Sequence, residues 1–532
     1  MMLTLGLWRL DRGGMWRDEA VSFQVSRRTV PQIWKLLGDV DAVHGLYYLV
    51  LHAVLALHPG EVVLRLPSVC AAAATAALVA ALGTRLARPR VGLWAGLLYA
   101  VTPMAGHYAQ EGRSYALVAA GATGATLLFV RGVRGGSWWP YGVVLGLTCW
   151  LHEFAVLLLL AHAVSLASAR AGRRVWRGWG CAAAVVGPAL LPMVLVSRAQ
   201  SAQVAWLREP TVETAEGLLR GFLGPTDEVY AVCLGLALVG LLGLVGRRGE
   251  VTCAGVGLPL MVVPPVVLML VSQMSPLYVD RYVLYALSGA SLVVAAGADR
   301  VAVTAARLRP PARRTATRCT PPNDHPPRAA PQKRHSTSRD CGAGGGGRSR
   351  RGILSRAGCV VLVGVLAVAL SLLHQFPLLL RDRDPGRRPD DLAAVSRAVA
   401  REVGPGDPVL FLPAPMRNTA LTYPRAFRGT RDVALVAGAA ESGTLYGREA
   451  GVAELRRRLA RLDRVWVVAD RRLLGGRWAP RNPVERAKAA ILWQEFSGRR
   501  QAVRGGVTVR LYVRPVSARP RPPSAPPRPE RW

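Results

Sequence analysis

Long apolar runs separated by short polar connections dominate the first 380 residues of the chain. A helix needs about 20 mostly apolar residues to cross a bilayer. The runs at 66–86, 91–107, 114–130, 138–151, 154–168, 179–196, 229–245, 253–274, 283–298 and 353–380 meet or approach that length. The pattern therefore predicts a mainly α fold, a polytopic helical membrane protein of about 10–11 transmembrane helices. The apolar run at 45–58 is too short to span and reads as a helix lying at the membrane surface. The run at 1–10 is also too short. It lacks the basic n-region and small-residue cleavage site of a signal peptide, so it reads as a truncated first helix.

Beyond residue 380 the pattern changes. Helical periodicity at 390–402, 452–462 and 483–496 alternates with short β-type runs at 408–412, 432–436, 464–469 and 507–513. Such alternation predicts a small α/β layer domain over 381–515. The stretch 300–352, rich in Pro, Arg, Ser and Gly, has too little apolar surface to form a core and reads as a disordered basic loop. The Pro/Arg tail at 516–532 reads the same way. The expected organisation is thus a membrane core over 1–299 with a large loop at 11–65, the linker 300–352, a last span at 353–380, the α/β domain and the tail.

Charge orients this layout. The 532 residues include 68 Lys and Arg and carry a formal net charge of +35, which taken alone invites a nucleic-acid partner. Yet the basic residues cluster at 85–90, 131–134, 170–177, 247–248 and 300–356, at every second connection between spans. Short cytoplasmic loops are enriched in Lys and Arg, so these connections are expected in the cytoplasm and nucleic acid is not an expected partner. The alternate connections and the C-terminal α/β domain are then extracytoplasmic, in a multi-pass protein of the cell membrane. The eight cysteines fall in or beside spans and in the linker, with no C-x-x-C pair, so neither a disulfide framework nor zinc is indicated.

The outward connections hold most of the suggestive polar residues. The first carries Asp18, Glu19, Asp41, His44, Tyr47 and Tyr48. The second carries Glu111 and Arg113, a third His152 and Glu153, and a later one Asp280, Arg281 and Tyr282. Ionisable residues at a membrane boundary are costly unless paired or functional, which favours a site. Asp18 and Glu19 suit a catalytic base and a neighbouring carboxylate, or a solvated acidic pair. Glu111 suits a second site carboxylate, or an ion pair with Arg113. His44 with Tyr47 suits substrate contact, or an aromatic belt. Arg281 suits phosphate, through the planar guanidinium fork, unless Asp280 neutralises it. No P-loop, dinucleotide fingerprint or nucleophile elbow is present, and no metal or cofactor is expected.

The segments Trp16-Arg-Asp-Glu-Ala20, His44-Gly-Leu-Tyr-Tyr-Leu49, Leu64-Arg-Leu-Pro-Ser68 and Tyr108-Ala-Gln-Glu-Gly-Arg-Ser-Tyr-Ala116 together resemble the membrane-embedded C-type glycosyltransferases. The resemblance runs over about residues 16–298. It is greatest to the bacterial, especially actinobacterial, branch of the dolichyl-phosphate-mannose–protein mannosyltransferase-like family. At residue 45 this chain has Gly where many members have Pro. The resemblance implies inverting transfer of a sugar, mannose in this branch, from a polyprenyl-phosphate-linked donor in the membrane lipid to a hydroxyl acceptor on a protein, glycan or lipid. It implies Asp18 as base with Glu19 beside it, Glu111 near the site, and Arg281-Tyr282 near the donor phosphate, with His44, Tyr47 and Arg113 in the substrate-binding set. A membrane transporter or lipid flippase is the alternative. It is disfavoured because the acids gather at one surface and no internal repeat is evident. A non-catalytic scaffold presenting the α/β domain to a partner is a further one.

Overall fold

The computed structural model describes residues 1–204, 206–308, 350–387, 390–475, 480, 482–504 and 506–515. Most of the expected linker, 309–349, and the tail from 516 lie outside the described residues. Four helices form the N-terminal region: α1 (Met2–Leu7), α2 (Arg17–Ser26), α3 (Val30–Asp39) and α4 (Gly45–Leu57). The bundle follows as α5 (Glu61–Leu86), α6 (Pro89–Val101), α7 (Pro103–Ala109), α8 (Tyr115–Val133), α9 (Trp139–Leu151), α10 (Leu158–Ser168), α11 (Arg173–Ala199), α12 (Val212–Leu223), α13 (Asp227–Leu241), α14 (Cys253–Val271), α15 (Leu287–Leu308) and α16 (Arg350–Asp382). Among the described residues, six helical stretches are long and apolar enough to cross a membrane, or seven if the bent pair α12 and α13 is one span. The chain is a polytopic helical membrane protein with a small sheet-containing region at its C-terminal end.

Local chemistry explains where the runs break. The expected span at 91–107 is two helices, because Thr102 precedes Pro103 and adopts an extended conformation (φ −67°, ψ 125°). A residue before proline is pushed out of the helical region by the proline ring. His152 is likewise extended between α9 and α10, which are only 13 and 11 residues long. A bend of 84° separates α12 from α13. α15 continues to Leu308 and α16 starts at Arg350, so regular structure enters both ends of the expected linker. Close helix approach uses small residues: a Cβ on Gly92 would stand 2.2 Å from Ala80 O and one on Gly96 2.8 Å from Ala76 O, so α5 and α6 pack backbone to backbone.

The connections gather at two ends of the bundle, as their alternating charge requires. At one end Arg134 donates to Arg85 O at 2.7 Å, Arg90 pairs with Asp299 at 2.5 Å, and Arg170 donates to Gly246 O at 3.0 Å. At the other end Gln200 bridges to Leu37 O at 2.9 Å, Ser197 donates to Glu153 at 2.7 Å, and Tyr285 donates to Phe154 O at 2.9 Å. α4 belongs to this second end. Its 13 residues reach about 20 Å at 1.5 Å each, too short to span, and its buried Tyr47, Tyr48 and Leu51 share an apolar cluster with Val25, Ile33 and Leu36 of the same loop.

The C-terminal region contains α17 (Leu392–Glu402), α18 (Asn418–Thr422), α19 (Ala439–Ser442), α20 (Val452–Ala460), α21 (Arg471–Leu474) and α22 (Pro483–Glu495). Its strands are β1 (Pro408–Leu412), β2 (Arg431–Asp432), β3 (Leu435–Ala437), β4 (Arg448–Glu449), β5 (Arg464–Asp470), β6 (Ser497–Arg504) and β7 (Val507–Val513). One sheet has the order β2-β1-β5-β7-β6, with β2, β1 and β5 parallel and β7 and β6 antiparallel. Strand side chains alternate faces. Leu410, Leu412, Val465 and Val467 accordingly pack with Leu455, Leu459 and Leu492 of α20 and α22, while Val409, Phe411 and Val468 pack with Val395 and Val399 of α17. The segment after β1, including α18, carries the domain onto α2: Asn418 Nδ2 donates to Arg17 O at 3.0 Å.

Candidate functional site

The four polar segments singled out in the sequence converge at the loop end of the bundle, and two buried arginines join them. Arg65, fully buried on α5, makes a bidentate pair with Glu19 of α2: Nε to Oε1 and Nη2 to Oε2, both at 2.8 Å. Glu19 Oε1 also accepts from Gly112 N at 2.9 Å, and Ser68, one turn after Arg65, donates to Glu111 O at 2.6 Å. One carboxylate therefore fixes three segments. It explains an arginine at the head of an apolar run: a buried guanidinium needs an anion in hydrogen-bonding geometry. Glu19, expected as the carboxylate neighbouring Asp18, is 1% exposed and engages Arg65 with both of its oxygens. Consecutive helical residues point in different directions, and here Glu19 faces the core while Asp18 is partly exposed.

Arg113 is the second junction. Its Nη2 lies 2.6 Å from His44 Nε2 and its Nη1 donates to Ser22 Oγ at 3.2 Å. The expected alternative of a Glu111–Arg113 ion pair is not formed, and no carboxylate of the described residues lies within ion-pairing distance of this guanidinium. Arginine can only donate, so His44 Nε2 accepts and its proton resides on Nδ1. Burial, reinforced by the Arg113 charge, holds the protonation of His44 far below the usual histidine range. Tyr47 is completely buried under this layer, whereas Tyr48 donates to Asp41 at 2.7 Å.

Asp18 and Arg281 form the next pair. Asp18 lies in the first turn of α2 with its side chain 31% exposed, and Arg281 Nη2 donates to its Oδ2 at 3.3 Å. Arg281 stands in the short 3₁₀ turn Asp280–Ala286 that leads into α15, so the start of that long helix aims it. Its guanidinium lies 5.8, 5.6 and 5.9 Å from the ring centroids of Trp16, Tyr115 and Tyr282, an aromatic collar that favours a cation. Its ion-pair partner is Asp18 and not the neighbouring Asp280. The Tyr282 ring lies tilted, 4.6 Å between centroids, against His152, whose protonation burial pushes down to about 3.

Glu111 is 5% exposed, and its buried Oε2 has no hydrogen-bond partner among the described residues. Burial raises its carboxyl to about 7, against the opposing pull of His107 and Arg281. Among the described residues, the buried His44 Nδ1, Arg113 Nε, Ser114 Oγ, Tyr115 Oη, His152 Nδ1 and Arg281 Nε also lack a hydrogen-bond partner. Buried polar groups are normally paired, and each exception costs on the order of 1–3 kcal/mol. The exceptions here concentrate where the first loop, the segment 111–115 and the turn before α15 meet. Among the described residues, no three His, Cys, Asp or Glu side chains are grouped closely enough to hold a metal ion.

The sequence reading missed two contributions. Arg65 was legible as a costly charge in an apolar run, but nothing local named its partner. The C-terminal domain also reaches the site. Arg17, next to Asp18, pairs with Asp390 at 2.9 Å and Asp470 at 3.4 Å, and Met15 N donates to the Tyr423 hydroxyl at 3.0 Å.

Neither a family model nor a curated protein matches the sequence. Among solved structures, ArnT from Cupriavidus metallidurans in the apo state is similar over 96% of both chains, at 14% identity and a TM-score of 0.57. The same protein bound to undecaprenyl phosphate gives 12% identity and a TM-score of 0.52, again over 96% of both chains. Arabinosyltransferase EmbB from Mycobacterium smegmatis is 18% identical over 56% of this chain and 29% of its own, with a TM-score of 0.33. From the first loop to the C-terminal sheet, the chain shares the fold of ArnT.

Proposed function

We propose that the protein is a glycosyltransferase that moves a sugar, mannose in our reading, from a polyprenyl-phosphate carrier to a hydroxyl acceptor, with inversion at the anomeric carbon. The observation that carries this reading is the Asp18–Arg281 pair: a partly exposed carboxylate opposed to a collared guanidinium, among unpartnered polar atoms, at one end of a membrane bundle. The fold shared with ArnT, one of whose structures holds undecaprenyl phosphate, supports a lipid-phosphate donor. The arginine-rich ends gather opposite the site, which supports a site and a C-terminal domain on the outer side of the membrane.

In this mechanism the donor phosphate replaces Asp18 on Arg281. Asp18 is thereby released to take the proton of the acceptor hydroxyl as its oxygen bonds to the anomeric carbon. The bond from that carbon to the phosphate oxygen breaks, and polyprenyl phosphate departs with one more negative charge. Arg281 and the carboxylate-free Arg113 stabilise that developing charge, where fixed cations in a dry site are most effective. Glu111, protonated in part near neutrality, donates a hydrogen bond to substrate. Glu19, His44 and Tyr47 hold these groups in register. The test is transfer from a labelled polyprenyl-phosphate sugar by purified wild type and Asp18→Asn. Undiminished transfer by the variant refutes the base, and no turnover of any polyprenyl-phosphate sugar by wild type refutes the activity.

A further inference from the structure

The segment 439–447 of the C-terminal domain lies along α2 and α3, the helices of the first loop. Leu445 O accepts from Gln24 Nε2 at 2.9 Å and Arg28 Nη2 at 3.4 Å, and Glu441 O accepts from Lys35 Nζ at 3.0 Å. Tyr446 follows directly. It is half-buried and packs against the cluster that contains Tyr47 and Tyr48. Its hydroxyl forms no hydrogen bond with the described residues, yet it lies within electrostatic reach of Asp41, Asp18, Arg17 and Arg113.

The backbone of Tyr446 is anchored from behind. Arg417 Nη1 donates to Tyr446 O at 2.9 Å, and the same guanidinium, 3% exposed, pairs with Asp432 at 2.6 Å and Glu449 at 2.7 Å. Glu449 in turn pairs at 2.6 Å with Lys488, which is fully buried. Buried ion pairs of this kind are a poor source of stability compared with apolar packing. The network closes on two backbone carbonyls, Phe411 O through Lys488 at 3.0 Å and Tyr446 O through Arg417, and so ties Tyr446 to strand β1 and holds it in place.

We propose that the C-terminal domain builds the acceptor side of the site, with Tyr446 contacting a sugar-bearing acceptor and Arg417 positioning Tyr446. An aromatic ring beside carboxylates is the combination that recognises a carbohydrate: the ring covers an apolar sugar face while Asp41 and the phenol exchange hydrogen bonds with its hydroxyls. This inference rests on the transferase reading above.

The test uses the full chain in lipid nanodiscs, with labelled polyprenyl-phosphate mannose as donor and octyl mannoside as acceptor probe. Tyr446→Ala is expected to raise KM for octyl mannoside roughly tenfold while KM for the donor is kept, and Tyr446→Phe to give a smaller rise with an unaltered melting profile. Arg417→Lys is expected to raise the acceptor KM in wild type but to add little in the Tyr446→Ala background, because it acts through Tyr446. Unchanged acceptor KM in folded Tyr446 variants overturns the proposal, as does an equal rise of both KM values. Donor turnover onto water but not onto octyl mannoside overturns the sugar-bearing acceptor. No donor turnover by wild type overturns the transferase reading itself.

Discussion

Replacing Glu19 by Gln distinguishes a structural carboxylate from a catalytic one. Glu19 accepts two hydrogen bonds from Arg65 and one from Gly112 N, all between 2.8 and 2.9 Å, and both members of the ion pair are at most 1% exposed. Gln keeps the shape and one acceptor oxygen but removes the charge, which leaves the guanidinium uncompensated in a dry setting. Stranding one partner of a buried pair costs about 3–5 kcal/mol. That is a factor of roughly 10² to 10³ or more in the folded ratio. The single variants Glu19→Gln and Arg65→Met are each expected to melt well below wild type in detergent, by size-exclusion recovery after heating. The double variant, with no stranded charge, is expected to recover much of the loss, giving a coupling of several kcal/mol across the cycle. A Glu19→Gln protein that melts like wild type but has lost transfer would refute this reasoning and restore Glu19 to the chemistry.

Asp18→Asn is expected to lower transfer by about 10²-fold or more, the usual scale for loss of a general base, with little change in melting because the side chain is partly exposed. Arg281→Lys, which keeps charge but loses the planar fork, is expected to weaken donor use, read as a higher KM for the polyprenyl-phosphate sugar. Glu111 has a folded-state value raised from 4.5 to about 7, so the folded protein binds the proton more tightly than the unfolded chain. Stability from this group is therefore present at low pH and is lost as pH rises from about 4.5 to about 7, by about 3 kcal/mol in all. Wild type should lose melting temperature over that window relative to Glu111→Gln, and parallel pH profiles would refute it. Gly92→Leu is expected to disrupt the membrane bundle, because its side chain would enter the α5 backbone at Ala80, seen as loss of monodisperse protein.

Much of this molecule was legible in the sequence because apolar length and side-chain alternation are local properties. Strands β1 and β7 occupy the expected residues 408–412 and 507–513, and α22 lies within the expected 483–496. β6 was missed because Ser-Gly-Arg-Arg-Gln-Ala-Val-Arg is polar on both faces, as suits an edge strand. The alternation of arginine correctly grouped the connections into two ends. What local pattern cannot carry is pairing over distance. Arg65 announced a need for an anion, but Glu19, 46 positions away, is chosen by how α2 docks on α5. The same limit hid Tyr446, which follows a modest loop in the sequence and gains its place from Arg417, Glu449 and Lys488.

The pairing of Asp18 with Arg281 spans 263 positions of the chain, and Arg17 reaches further still, 453 positions to Asp470. The first loop is synthesised long before its partners. An emerging chain therefore carries Asp18 without its cation until the turn before α15 is inserted, and without its clamp until β5 has folded. A half-built chain thus holds neither the Asp18–Arg281 pair nor the Arg17–Asp470 contact. Completion of the chain itself is what assembles these contacts.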